Sequence, residues 1–124
     1  MGRIVALASR PRGEHQRRLV MEGEQSVATV DLYLYHTKDR VYAEVHDLYV
    51  RPEDRRKGHA ATLLEQVLQY CKTYAKEENI QVLVRLTSKP RRRAANNLYR
   101  SLGLTLLAKA ETDGTNLYGR LIRP

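Results

Sequence analysis

VRPEDRRKGHAA, residues 50–61, running directly into TLLEQVLQYCKTYAK, residues 62–76, is the stretch that decides the fold. Ahead of it HDLYV, residues 46–50, reads as the end of a strand, and Pro52 stops that strand. Behind it Leu64, Val67, Leu68, Cys71 and Ala75 recur at helical spacing, which predicts an amphipathic helix over residues 57–78. A strand, a short polar loop and a helix that starts at a glycine form an anion cradle. The loop amides and the unpaired N–H groups of the first helical turn converge on one spot. Arg55, Arg56 and Lys57 bring positive charge to the same place, so the expected guest carries phosphate.

Further elements follow on both sides. Residues 3–8 read as a short first strand, and residues 9–15 as a Pro/Gly/Arg loop. Two alternating segments, residues 17–23 and 26–36, are joined by a tight Gly-Glu-Gln hairpin. A polar turn over residues 37–40 leads to a strand at 41–50, rich in Tyr and Val. Beyond the helix, residues 80–87 form a nearly all-apolar strand, as a central one requires. A second helix spans 91–102 and stops at Gly103. Strands at 104–109 and 116–122 flank a turn at Thr112-Asp113-Gly114. The fold class is therefore α/β in the wider α+β sense: one mixed sheet flanked by helices.

The 124 residues fit one domain, with residues 1–40 as N-terminal strands and hairpin and 41–124 as the core. A single cysteine, Cys71, leaves no disulfide framework and no Cys-based zinc site. Cys71 sits in the apolar stripe of the helix, where nothing basic is placed to ionise it. No apolar run reaches membrane-span length and no secretory signal is visible, so a cytoplasmic, non-membrane protein without a metal is expected. The net charge is +8, but the basic residues are scattered and the eight tyrosines lie inside strand and helix patterns. That distribution argues against nucleic acid as the main partner.

RRKGHA, residues 55–60, reads as R-x-x-G-x-A. It lacks the Gly-Lys-Ser/Thr of a P-loop and two of the three glycines of a dinucleotide fingerprint. It resembles the acyl-CoA-binding motif of the GNAT acetyltransferase superfamily. A second motif stands at the expected distance: AANNLYRSLGL, residues 94–104, is similar to that family's A-x-x-L-Y-x-x-L-G-F segment, with Leu104 in place of Phe. LTSKP at 86–90 and TNLY at 115–118 are similar to a bacterial branch of the superfamily. The resemblance covers residues 43–124.

The resemblance implies an acetyl-CoA-dependent N-acetyltransferase in which a primary amine attacks the thioester directly. Backbone groups of Leu48, Tyr49 and Val50 would meet the pantetheine arm. The amides of Lys57, Gly58, His59, Ala60 and Ala61 would hold the pyrophosphate, with Arg55 and Arg56 adding electrostatic grip and the His59 ring facing solvent. Tyr99 would protonate the departing thiolate; its other reading is a core tyrosine. Asn96, three residues earlier, would bond the CoA arm or serve packing. Glu44 is the first candidate base, ahead of Asp47 and His46. Alternation places Glu44, His46 and Leu48 on one face and Asp47 on the other, unless a bulge intervenes.

Two departures from the family stand out. Arg91-Arg92-Arg93 replaces an Asn that many members carry, either binding phosphate or an acidic acceptor, or lying solvated. The front of the chain is short, with little more than residues 9–18 where other members place helices. An open acceptor site is expected, suited to a small-molecule or protein amine or completed by a second subunit as a homodimer. The competing readings are a non-catalytic acyl-CoA-binding module and a basic nucleic-acid-binding protein.

Overall fold

A computed structural model describes residues 3–5, 16–22, 28–109 and 114–124. Its strands are β1 (Arg3–Val5), β2 (Gln16–Glu22), β3 (Ala28–His36), β4 (Arg40–Val50), β5 (Gln81–Ser88), β6 (Thr105–Ala108) and β7 (Asn116–Ile122). The helices are α1 (His59–Glu78) and α2 (Arg93–Ser101), with a 3-10 turn at Pro52–Asp54. The strands form one sheet in the order β1-β2-β3-β4-β5-β7-β6. Only β4 and β5 pair in parallel; every other neighbour is antiparallel. The predicted mixed sheet with flanking helices is thus present. The expected hairpin turns at 23–25 and 112–114 and the loop at 9–15 lie wholly or largely outside the described residues.

Period-two burial shows which face carries the core. Ala28, Val30, Leu32 and Leu34 of β3, Val41, Ala43 and Val45 of β4, and Val82, Val84 and Leu86 of β5 are all buried. Leu63, Leu64, Val67, Leu68, Cys71 and Ala75 of α1 join the same cluster, as does Tyr99 of α2. Both helices therefore cover one face of the sheet. The opposite face carries half-exposed side chains of β3 to β5, among them Tyr33, Tyr42, Glu44 and Arg85.

Both helix starts differ from the sequence reading by two residues. α1 begins at His59 rather than 57, because Arg56 (φ 64°) and Gly58 (φ 82°) are left-handed and cannot continue a helix. α2 begins at Arg93 rather than 91, after a turn in which the Arg92 N–H bonds the Lys89 carbonyl at 3.1 Å. Its C-terminus is closed as expected. Gly103 adopts φ 84°, its N–H bonds Arg100 O at 3.0 Å, and the Leu104 N–H bonds Tyr99 O at 3.0 Å. This pair of bonds is a Schellman closure, which needs a residue tolerant of positive φ.

The alternation along β4 breaks at a bulge. Asp31 lies opposite His46 and Thr29 opposite Tyr49, so two steps on β3 face three on β4. Asp47 takes up the extra residue at φ 53°. Before the bulge the odd residues 41, 43 and 45 face the core; after it Leu48 and Val50 pack there instead, and Tyr49 is exposed. Leu48 is thus on the face opposite Glu44 and His46, a correction to simple alternation.

Cys71 is fully buried, and burial pushes its thiol up to about 12. A thiol held that high supplies almost no thiolate at neutral pH. The expected outcome is that an aromatic disulfide reagent leaves the native protein unmodified over minutes at pH 7.5, while unfolding in urea releases one equivalent of reactive thiol.

Candidate active site

The site is built where β4 and β5 separate. Their parallel ladder runs from Arg40↔Gln81 to Glu44↔Arg85 and then stops, although β4 continues to Val50 and β5 to Ser88. β4 stays with β3 while β5 stays with β7, whose pairing reaches Ser88↔Asn116. A bulge bends and twists the strand that carries it, and the bulge at Asp47 sits on the segment that parts. The β5-facing edge of residues 45–50 is left without a ladder partner, which offers an extended guest a strand edge to lie along.

Two adjoining cavities occupy this region. The larger, about 490 Å³, is lined by the end of β4, the polar loop and the start of α1. Of the cofactor residues expected from sequence it brings together Leu48, Tyr49, Val50, Arg55, Arg56, Gly58, His59, Ala60 and Ala61. His59 is half-buried there rather than fully solvent-facing. Lys57 and Asn96 do not line it. Lys57 pairs with Asp54 at 3.5 Å. Asn96 is buried, and its amide nitrogen donates to Lys89 O at 3.2 Å and Pro90 O at 3.3 Å, which ties the β5–α2 connection together.

No side chain caps α1 and its first turn holds no acidic residue. The Thr62 N–H already bonds Gly58 O at 3.0 Å, so the amides of His59, Ala60 and Ala61 are the ones the helix leaves for an anion. The basic side chains are unequal. Arg51 is held by Asp54 at 2.9 Å. Arg55 turns back onto β4, with Nε donating to Val50 O at 3.0 Å and its guanidinium 5.7 Å from the Tyr49 ring. Arg56 has no ion pair or side-chain hydrogen bond among the described residues. Its left-handed backbone and that of Gly58, with Lys57 between them, give the alternating geometry of an anion nest. These donors fit a pyrophosphate, and the open β4 edge fits the amide-bearing arm beyond it.

The smaller cavity, about 170 Å³, passes through the split. Val45, Leu48, Leu86 and Tyr99 reach it from the helix face, and His46, Asp47 and Thr87 from the far side. Tyr99 is 5% exposed, with its ring 5.8 Å from that of Tyr118. Burial raises its pKa above the usual phenol value, while the Arg92 guanidinium and the Ser88 hydroxyl pull it part of the way back. The phenol is therefore a neutral acid throughout the physiological range. Ser88 Oγ is buried beside it without a well-formed hydrogen bond of its own, and Asn96 Oδ1 is likewise unpartnered. Unpaired buried oxygens are costly and commonly await a ligand or water.

Glu44 stands on the far face of the last paired rung and does not line the cavity. One carboxylate oxygen accepts from Arg85 Nε at 2.7 Å and also meets that guanidinium's terminal nitrogen. The other lies 3.2 Å from His46 Nε2. Arg85 is itself stacked 4.4 Å from the Tyr42 ring, and His46 meets Tyr33 edge-on at 5.1 Å. Arg92 was legible only as one of three arginines, and it lines both cavities. Leu98, the Leu of the A-x-x-L-Y segment, also lines the larger one, as does Asp54, which no sequence signal marked.

The sequence profile described as "Acetyltransferase (GNAT) family" matches residues 6–104. The chain belongs to the GNAT acetyltransferase family. Among solved structures the ribosomal-protein-S18-alanine N-acetyltransferase of Escherichia coli is 18% identical with a TM-score of 0.67, covering 100% of this chain and 96% of that one. The spermidine/spermine N-acetyltransferase SpeG of Vibrio cholerae is 22% identical with a TM-score of 0.65, over 89% and 69% of the two chains. NAA60 of Arabidopsis thaliana, with a bisubstrate analogue, is 13% identical with a TM-score of 0.64, over 89% and 77%. No curated protein matches the sequence. Family membership makes this GNAT chain an N-acetyltransferase that draws on acetyl-CoA. Among the described residues no cluster of side chains is arranged to hold a metal, and no helix is long and apolar enough to cross a membrane.

Gly58 should be sensitive for its backbone alone, since an added Cβ would meet nothing within 4 Å. Gly58→Ala is expected to lower stability by about 1–2 kcal/mol, the cost of a left-handed L-residue, read from urea unfolding. As the cradle relaxes to relieve that strain, calorimetry should show acetyl-CoA binding weakened by roughly tenfold.

Proposed function

We propose that this acetyltransferase acylates a primary amine by direct attack, with Tyr99 as the acid and the Glu44–His46 pair as the proton acceptor. The observation that carries the reading is the cavity through the split, where Tyr99 enters from the helix face and His46 from the other. Acetyl-CoA supplies the activated acetyl thioester. The residues that would hold it are the uncapped amides of His59, Ala60 and Ala61, the side chain of Arg56, and the open edge of Leu48, Tyr49 and Val50.

Each remaining role follows from chemistry at named atoms. Glu44 accepts only, so its carboxylate favours the His46 tautomer with hydrogen on Nε2 and leaves Nδ1 free to take a proton from the amine. Arg85 fixes that carboxylate, so Glu44 acts through His46 rather than at the amine itself. Asp47 lines the same cavity on the bulge and is the competing acceptor. The neutral Tyr99 phenol holds a proton for the leaving sulfur. Leu86, Val45 and Leu48 give the cavity an apolar wall that limits water.

The acceptor approaches the face that carries Tyr33, Tyr42 and His46, opposite both helices. A small amine or a protein amine fits an approach from that side, and a second copy of the chain is a further way to complete it. Of the segment 9–18 expected to border the acceptor, residues 9–15 lie outside the described residues and residues 16–18 begin β2.

The test is thiol release from acetyl-CoA against a panel of amines. Tyr99→Phe is expected to lower kcat by about 10²-fold with acetyl-CoA binding unchanged. His46→Gln should cost a similar factor, Glu44→Gln less, and Asp47→Asn little. A larger loss in Asp47→Asn than in His46→Gln would move the proton acceptor to Asp47, and full activity in Tyr99→Phe would remove the acid assignment.

A further inference from the structure

Arg92 is the one described side chain other than Leu48 that lines both cavities. It precedes the first turn of α2, and only its backbone is used by the fold: its N–H bonds Lys89 O at 3.1 Å and its carbonyl accepts from the Asn96 N–H at 2.9 Å. The guanidinium has no ion pair or hydrogen bond among the described residues, and its field reaches the Tyr99 phenol. Arg51 and Lys57, by contrast, are tied to Asp54, and Arg55 to Val50 O. A permanent cation without a counter-ion at the junction of the donor cleft and the reaction cavity is placed where negative charge develops on sulfur.

We propose that Arg92 is a catalytic residue for the leaving group, meeting the sulfur of CoA beside Tyr99 and stabilising its developing negative charge. As the acetyl carbon–sulfur bond breaks, sulfur keeps the electron pair and Tyr99 gives it the phenolic proton. Arg92 transfers nothing; its charge lowers the energy of the sulfur while the proton is in flight and makes the phenol easier to deprotonate. Arginine suits the task because it stays charged at every working pH. This inference rests on Tyr99 as the acid.

The other groups around that sulfur are His46 and Asp47 from β4, Tyr118 behind Tyr99 from β7, and Asp54, Arg56 and His59 on the donor side. Of these, Asp47 and Asp54 carry negative charge and oppose a thiolate, and Arg92 is the cation that lines the same cavity as Tyr99. Arg56 belongs to the phosphate end of the larger cavity only.

Steady-state kinetics and product binding together test the idea in the intact protein. Arg92→Gln is expected to lower kcat about tenfold while KM for acetyl-CoA moves less than about threefold, and Arg92→Lys should recover most of kcat. The second readout is the affinity of CoA relative to its analogue lacking sulfur, measured from pH 6.5 to 9. An ordinary thiol ionises near ~8.5. A cation beside it makes CoA gain on the analogue already at the low end of that range, and Arg92→Gln should erase the gain. A tenfold rise in KM with unchanged kcat would overturn the proposal and leave Arg92 as a phosphate ligand. So would a CoA preference that is the same in wild type and Arg92→Gln. Tyr99→Phe, run alongside, separates the two ideas: if it keeps full kcat, the acid assignment fails first and the inference with it. If it loses kcat while Arg92→Gln does not, only the inference falls.

Discussion

Everything at this site depends on two neighbouring strands ceasing to pair. A parallel ladder satisfies the backbone of both its members, and as long as β4 and β5 stay joined there is no room for a guest. Past Glu44 and Arg85 they follow different partners: β4 stays with β3 through the bulge, and β5 is held by β7 to its last residue. The gap does two jobs at once. It leaves a strand edge without a ladder partner, and it opens a passage between the two faces of the sheet. A donor lying on the helix side and an amine arriving from the other side can meet only through such a passage.

The Glu44–Arg85 pair closes the last rung before the gap. It is partly exposed, so its contribution to stability is modest. Its geometric effect is larger, because the guanidinium spans from β5 to β4 at the point where the backbone ladder ends, and the Tyr42 ring supports it from below. The same carboxylate reaches His46 across two residues of one strand face. The bulge begins immediately after His46, so the imidazole keeps the parity of Glu44 while its successor Leu48 turns to the core. One inserted residue therefore places the His46 ring and an apolar wall on opposite sides of the same passage.

Much of this was readable in the sequence. Helical spacing from Leu64 to Ala75 and the position of Gly58 marked the cradle, and Gly103 marked the end of α2, because those features rest on local backbone chemistry. The side-chain assignments were less accessible. Period-two alternation put Leu48 with Glu44 because a bulge is a property of the β3–β4 register and leaves no residue-type signature at Asp47. Arg55, Arg56 and Lys57 look alike in a row, yet Asp54 and the Val50 carbonyl take up two of them, and only the folded loop shows which. Asn96 sits in the motif segment but spends its amide on the β5–α2 connection. Arg92 was one of three equal candidates until the turn before α2 aimed it at the junction.

The end of α2 supplies the last constraint. Tyr99 lies in the final turn, where helices fray most readily, and a mobile phenol would be a poor acid. The Schellman closure holds the Tyr99 carbonyl through Leu104, the ring leans on Tyr118, and the nearby Leu102 carbonyl accepts from Arg120 of β7 at 3.0 Å. Gly103 thus acts on Tyr99 through geometry: its left-handed backbone lets the chain fold back over Tyr99, so the residue that stops the helix also fixes where the phenol sits. The burial that raises the phenol's pKa follows from that packing, and the Arg92 charge set just ahead of the same helix works against it.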